Sequence, residues 1–358
     1  MRCIIFYLSV FILLLFPRIL YAEQSLSGNK KILVISSYSP LKEGGNHIIL
    51  SFLERINAKT DVSVMVEYMD SESYPDYDYW LKWVYSLFGA YKNAPDMVVL
   101  IGEEVWSAYR KCCVDSWKNI PVILGGMKKS YVDYEKLEKD QVLSIGELCP
   151  FTRTLGDFKV TGYYLVDYFE ENLNLIKCLQ PGITEVAFFY DDRYHHTFFE
   201  DYLNRLVQKM DGMNLHYWSG SHLSTAELLD SINSLKNNAV LFSAGWYTDL
   251  NGYSHSYSML QNEISRHPDK LVYEISDQNQ NVPNCIGGYF VSGKEIGTDL
   301  ADLAVMVLSQ GLEKSPVFGL TPSRPKYHLN HQVFRNMGLN ENVLPGDVVW
   351  YNEEVSLW

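Results

Sequence analysis

KILVISSYSP, residues 31–40, decides the fold. Ile32 to Ile35 is an unbroken apolar run rich in β-branched side chains, and the serines and Pro40 behind it are the residues that end a strand and open a turn. A strand apolar at every position is buried on both faces, as in a parallel sheet covered by helices. The device recurs in DMVVLIGEE (residues 96–104) and PVILGGM (residues 121–127), with an amphipathic stretch between one apolar run and the next. That alternation predicts βαβ units and a parallel sheet.

Working outward, the first half reads as strand Ile32–Ser36, helix His47–Ile56, strand Val62–Tyr68, helix Trp80–Tyr91, strand Met97–Ile101, helix Val105–Lys111 and strand Val122–Leu124. Between Gln141 and Gly162 the period is lost, with Pro150, Gly156 and Gly162 as punctuation, and a crossing to a second lobe is expected there. Alternation restarts with helix Tyr164–Leu179, strand Glu185–Tyr190, helix His196–Met210, strand Leu215–Trp218, helix Thr225–Leu235, strand Val240–Ser243, helix Ser256–Arg266 and strand Leu271–Glu274. After Gly287 and Gly288, a short strand Tyr289–Val291 precedes a helix with Ile296, Leu300, Leu303, Ala304, Val307 and Leu308 on one face, expected to return to the first lobe. A Pro-interrupted segment leads to a helix near His328–Met337 and a strand Val348–Tyr351. The fold class expected is α/β: two Rossmann-like lobes with parallel central sheets joined by a hinge. The boundaries expected are residues 1–22 as a leader, 23–155 plus 288–320 as lobe 1, 156–287 as lobe 2, and 321–358 as a C-terminal hinge or lobe-crossing segment.

Composition agrees with two cores. The chain has 358 residues, 47% of them apolar, and beyond roughly 250–300 residues a single core usually splits. Arg2, the apolar run Ile4–Phe16 and the small Ala22 are the parts of a secretory signal peptide. That run holds 13 residues before Pro17 and Arg18, against the roughly 20 of a membrane-spanning helix, so cleavage after Ala22 is expected. Removing residues 1–22 takes away two arginines and no acid, changing the formal charge from −13 to −15. Such an excess of carboxylate, without a dense Lys/Arg stripe, argues against a nucleic-acid partner. Beyond Cys3 the cysteines are Cys112, Cys113, Cys149, Cys178 and Cys285, an odd number without C-x-x-C spacing, and no disulfide framework is indicated.

The runs at 31–40, 96–104 and 121–127, with GYFVSGKEIGTDLADLAVMVL (residues 288–308) and the tail Tyr327–Tyr351, resemble the ABC-transporter substrate-binding-like family of periplasmic proteins. The resemblance spans essentially all of the chain after the leader. It implies a type I periplasmic-binding-protein fold and a small organic ligand held between the lobes. The family serves either as solute-binding proteins of uptake transporters or as extracytoplasmic input regions of membrane sensor kinases. LPGDVVWYNEEVSLW (residues 344–358) looks like the juxtamembrane end of the sensors, and the chain stops at Trp358. The expectation is therefore a non-enzymatic sensory input region of a two-component system lacking its membrane and kinase parts, with a sensor kinase or an ABC permease as partner. No cysteine follows the apolar run, so a periplasmic protein without a lipid anchor is expected.

Motifs with a stated mechanism, H-E-x-x-H, Walker A, G-x-G-x-x-G and G-x-S-x-G, do not occur. No metal and no cofactor are expected. Asp191, Asp192, His195 and His196 follow the strand ending at Tyr190, and carboxylate with imidazole suits a metal or acid–base chemistry. A polar loop with an aspartate N-cap is the simpler account of them, and an enzyme using Asp191 and His195 is the lesser expectation. Glu103 and Glu104 follow Gly102 at a strand's carboxyl end, where an α/β sheet places its ligands; they would equally favour the first turn of a helix. Gly125 and Gly126 leave backbone N–H groups open or simply make a turn. Aromatic rings at strand ends, Tyr38, Trp106, Tyr190, Trp246, Tyr247 and Tyr289, suit stacking on a small organic molecule. The ligand-binding set expected is Tyr38, Ser39, Gly102, Glu103, Glu104, Gly126, Met127, Tyr190, Asp191, His195, Gly245, Trp246 and Tyr289.

Overall fold

A computed structural model describes residues 30–41, 43–131, 134, 149–190, 199–208, 212–236, 238–246, 248–252, 257–267, 269–278, 280, 282–344 and 346–353. The first apolar run forms β1 (Lys31–Ser36), with every residue after Lys31 buried. There follow α1 (Glu43–Lys59), β2 (Ser63–Tyr68), α2 (Tyr77–Ala90), β3 (Met97–Ile101), α3 (Glu103–Cys112), β4 (Val122–Lys128) and β5 (Val160–Leu165). The second set is α4 (Phe169–Leu179), β6 (Glu185–Tyr190), α5 (Phe199–Val207), β7 (Asn214–Ser219), α6 (Thr225–Ser234), β8 (Ala239–Ser243), α7 (Tyr257–Ile264), β9 (Val272–Glu274) and β10 (Cys285–Phe290). The chain closes with α8 (Gly293–Gln310), β11 (Gly319–Leu320), β12 (Lys326–Asn330), α9 (His331–Asn336) and β13 (Val348–Tyr351).

Two sheets result. The first runs β11-β5-β4-β3-β1-β2 and is parallel throughout. The second runs β13-β12-β10-β9-β8-β6-β7, parallel except where β12 meets β10. One face of the first sheet packs Ile49, Phe52 and Ile56 of α1 with Leu300, Leu303 and Val307 of α8; the other packs Trp80 and Val84 of α2 with Trp106 and Tyr109 of α3. The second sheet is covered likewise, by Leu173 and Ile176 of α4 on one face and by Leu228 and Ile232 of α6 on the other. Each lobe is a helix–sheet–helix sandwich, the architecture that buries apolar strands on both faces.

The strand pairing moves the expected lobe boundaries. Val160–Leu165 pairs with β4 and belongs to the first sheet, so the first crossing is at residues 166–168 and not at 155/156. The helix expected from Tyr164 starts instead at Phe169. Gly156 and Gly162 read as loop punctuation, but Gly162 lies within a strand whose β-branched and aromatic neighbours suit a pleated surface. Cys285–Phe290 is in the second sheet, which puts the second crossing at 291–292, from which α8 returns to lobe 1. The third lies between Leu320 and Lys326. Residues 326–351, expected as a hinge, pair with lobe 2: the strand expected at Val348–Tyr351 forms, whereas KYHLN, where a helix was expected from His328, is a strand, and Asn330 caps the short helix behind it by accepting the Val333 N–H at 3.2 Å.

At the second crossing α8 is tied to lobe 2 by charge. Ser292 and Glu295 form a capping box, and Glu295 also accepts from Lys326 Nζ of β12 at 2.8 Å, with His328 Nε2 3.5 Å away. Burial pulls the Glu295 carboxyl upward, but His328, Lys326 and Ser292 together outweigh it and bring the carboxyl down to about 2. A depressed carboxyl contributes stability that is present above its unfolded value of 4.5 and lost as pH falls through about 2. Glu295→Gln is therefore expected to lower stability at pH 7 by on the order of 2 kcal/mol and to match the parent at pH 2, as urea unfolding at the two pH values will read. Cys112, Cys113, Cys149, Cys178 and Cys285 are free thiols. No helix among the described residues is long and apolar enough to cross a membrane.

Candidate functional site

The C-terminal ends of the parallel strands of both lobes, the reversed β12 and β13 apart, face one cleft. In lobe 1 its rim is organised by Ser36 and Ser37, which continue β1 into the turn. Ser36 Oγ accepts the Tyr38 N–H at 3.1 Å. Ser37 Oγ accepts the Val105 N–H at 3.0 Å, tying the turn to the first turn of α3, and the Ser37 carbonyl accepts from both the N–H and the hydroxyl of Ser71. The next wall is the end of β4. Its register against β5 shifts between Leu124 and Met127, where Gly126 takes φ +71°, a conformation that a side chain would strain.

Between the lobes lies a cavity of about 120 Å³. Lobe 1 contributes Tyr38, Ile48, Gly126 and Lys128, and lobe 2 contributes Ala244, Ser276, Asp277 and Gln278. The crossings supply Val166, Asp167 and Val291, and the end of β10 supplies Phe290. The walls near the crossings are thus largely apolar, while the polar groups come from both lobes and from Asp167 on the first crossing.

Two charged contacts frame this space. Lys128 Nζ and Asp167 Oδ1 pair at 2.5 Å, with side chains 28% and 20% exposed, so both remain within a ligand's reach. Asp277, from the loop after β9, accepts the Gly293 N–H with Oδ2 at 2.9 Å and faces His47 Nδ1 at 3.2 Å. A lobe 2 carboxylate therefore caps the N-terminus of a lobe 1 helix, where the helix dipole favours negative charge. Asp277→Ala is expected to cost roughly 1–2 kcal/mol through the unmade cap, measured by thermal unfolding against Asp277→Asn, which keeps an acceptor.

Behind the wall of β4, Glu103 is 3% exposed. Its Oε1 accepts the Lys128 backbone N–H at 2.7 Å, and its Oε2 has no hydrogen-bond partner among the described residues. Burial above all pushes its carboxyl up to about 8. The Lys128 N–H lowers it, Glu104 raises it, the Lys128 ammonium lowers it and Asp167 raises it.

Of the positions expected from sequence, Tyr38 and Gly126 line the cavity. Glu103 and Glu104 are buried behind it, and Gly102 caps α3 at φ +98°, where an added Cβ would stand 2.5 Å from Ser37 Oγ. Ser39 serves the turn, its hydroxyl accepting from the Leu41 N–H. Met127, Tyr190 and Trp246 are corrected to the core: the pleat turns Met127 and Tyr190 toward the covering helices, and Trp246, in the loop after β8, is wholly buried among the helices on the other face of that sheet. Trp246 donates Nε1–H to Thr225 Oγ1, and Trp106, also wholly buried, donates to Thr154 Oγ1. Gly245 is buried at φ +109° beside Trp246, and Tyr289 packs against Tyr168 and Tyr327 on the sheet face opposite the cleft-lining Phe290. Asp191, Asp192, His195, His196 and Tyr247 lie outside the described residues. Lys128, Asp167 and Asp277 carry no motif. The available signal was their place at or just past a strand's end.

No protein-family model matches the chain, and no curated protein sequence matches it. Solved structures do match. An ABC domain from Streptococcus pneumoniae in complex with L-Trp superposes with a TM-score of 0.58 at 15% identity, over 90% of this chain and 100% of that one. The match runs along almost the whole length of both chains. The chain has the type I periplasmic-binding-protein fold. Other matches to this fold are the ligand-free, open form of a substrate-binding protein with adhesive properties from Clostridium difficile, with a TM-score of 0.55 at 13% identity over 91% of this chain and 100% of that one, and a solute-binding protein of an ABC transporter from Bacillus halodurans with bound myo-inositol, with a TM-score of 0.52 at 11% identity over 84% and 94%.

Proposed function

We propose that this protein is a non-enzymatic extracytoplasmic module that closes its two lobes on a small organic ligand. The observation carrying this is the placement of Lys128, Asp167 and Asp277, polar groups from both lobes and a crossing converging on one cavity at the carboxyl ends of parallel strands. A ligand bridging those walls lowers the free energy of the closed form relative to the open one, by no more than its difference in affinity for the two. The module is secreted by a signal peptide cleaved after Ala22. Its output is sensory, closure altering the geometry passed to a membrane kinase, in keeping with the resemblance of residues 344–358 to a sensor's juxtamembrane segment. Delivery of the ligand to an ABC permease is the second reading, favoured by the solute-binding proteins that share the fold.

A thermal-shift screen of the mature chain against amino acids, cyclitols, sugars, nucleosides and peptides tests the binding role, since a native-state ligand at 100 times its Kd adds about 2.7 kcal/mol of stability. Lys128→Met is expected to abolish the shift caused by a hit, and Asp191→Ala with His195→Ala to produce no loss of turnover, there being none. A chain that no small molecule stabilises overturns the proposal. Uptake of a labelled hit lost on deleting the gene would favour transport; a lost transcriptional response would favour sensing.

A further inference from the structure

A buried carboxylic acid stands behind the cleft wall, and ligand contact does not explain it. Glu103 opens α3 at the end of β3, almost wholly out of water, with one oxygen accepting the Lys128 N–H and the other without a donor among the described residues. An ionised oxygen stripped of water and given no donor is costly, whereas the neutral acid has no charge left to solvate. The elevated proton affinity described above agrees with that geometry. Three charged groups act on Glu103: Glu104 on its own helix, Lys128 at the end of β4 and Asp167 on the first crossing. The last two are the ion pair that faces the cavity.

We propose that Glu103 is a proton-linked residue of the cleft: it holds a proton at neutral pH, and the charge brought to the Lys128–Asp167 end of the cavity decides whether that proton is held more tightly or released. The inference rests on the binding role proposed above for its consequence. An anionic group arriving beside Lys128 adds negative charge near Glu103, so at mildly alkaline pH, where Glu103 begins to lose its proton, binding takes up part of a proton and strengthens as the pH falls back toward neutral. A cationic group beside Asp167 does the reverse. Linkage is reciprocal, so the pH outside the cell sets which ligand charge the cleft favours.

The two members of the ion pair can stand in for ligand charge. Asp167→Asn removes a negative charge, Lys128→Met removes a positive one, and Lys128→Arg keeps it. Infrared titration of the protonated-carboxyl stretch from pH 5 to 10, with Glu103→Gln as the blank, reads the proton directly in the whole chain. The expected result is a band lost with a midpoint near 8, absent from the blank, moved down in Asp167→Asn and up in Lys128→Met by about half a unit or more, and unmoved in Lys128→Arg. Absence of any such band above pH 6, or a midpoint that neither substitution moves, overturns the proposal. Should Lys128→Met fail to fold, Asp167→Asn decides alone. A chain that binds no small molecule but shows these midpoints would lose the binding role and keep the linkage, and a binding chain with immovable midpoints would do the opposite.

Discussion

Replacing Gly297 by alanine is expected to cost roughly 3 kcal/mol, as an overpacked contact does at its upper range, even though alanine is the better helix former by about 1 kcal/mol. Gly297 lies on the buried face of α8 where that helix crosses α1, and a Cβ built there would stand 2.2 Å from the Ile48 carbonyl oxygen and 3.0 Å from the Phe52 nitrogen. Both are backbone atoms of a helix, so no side-chain rotation relieves the clash. The helices must separate, opening the apolar seam of Ile49, Phe52, Leu300 and Ala301 that holds α8 in lobe 1. Because α8 also carries the second crossing, the damage reaches the hinge. The control is Gly89→Ala in α2, where nothing lies within 4 Å of the added carbon; there propensity acts alone and a gain of about 0.5–1 kcal/mol is expected. Circular-dichroism melts of both variants should move in opposite directions, downward by roughly 5–10 °C for Gly297→Ala. A Gly297→Ala chain as stable as the parent would show that α1 and α8 are not in backbone contact.

That clash also marks where the sequence stops being readable. The apolar face of α8, Ile296 to Leu308, shows its helical spacing, and so do the uniformly apolar β1 and β3, because burial on both faces leaves no polar residue to confuse the period. The strands misread were mixed ones. Val160–Leu165 is only partly buried and contains a glycine, and Lys326–Asn330 carries Lys, His and Asn in five residues. Such segments become strands because a neighbouring strand supplies the hydrogen bonds, a fact of tertiary structure that no local pattern encodes. Both errors fell at crossings, where the chain changes lobe and local preference competes with long-range pairing.

The site follows the same division. Proximity to a strand's carboxyl end was legible and pointed at Tyr38 and Gly126, which line the cavity. Which way each side chain turns depends on the pleat and on local bulges. Hence Met127 and Tyr190 face the core, while Lys128, one residue beyond Met127, faces the cavity. Asp277 was harder still, since its value comes from Gly293, 16 positions away, whose N–H it caps. Aromatic content was a poor guide: Trp106 and Trp246 use their indole N–H groups inside the fold, as large amphipathic rings do when buried.

Glu103→Gln is expected to stabilise the protein at neutral and mildly alkaline pH, by roughly 3 kcal/mol at pH 7. The carboxyl ionises at 4.5 in the unfolded chain and near 8 in the fold. Below 4.5 both states hold the proton and Glu103 imposes no charge penalty. Between the two values only the unfolded chain releases it, so stability attributable to this group falls by about 1.4 kcal/mol per pH unit and levels off once the folded form ionises as well. Glutamine keeps the carbonyl oxygen that accepts the Lys128 N–H and has no proton to lose, so its stability is flat over this window apart from groups common to both chains. The two urea-unfolding curves should therefore coincide near pH 4 and diverge steadily to about pH 8, with glutamine above. Parallel curves would mean that Glu103 is ionised in the fold at neutral pH and has found a cation or donor for its second oxygen, and the proton-linked cleft would fall with that result. A residue so placed lowers stability at the pH at which it is useful, as expected when a buried acid is kept for its proton rather than for packing.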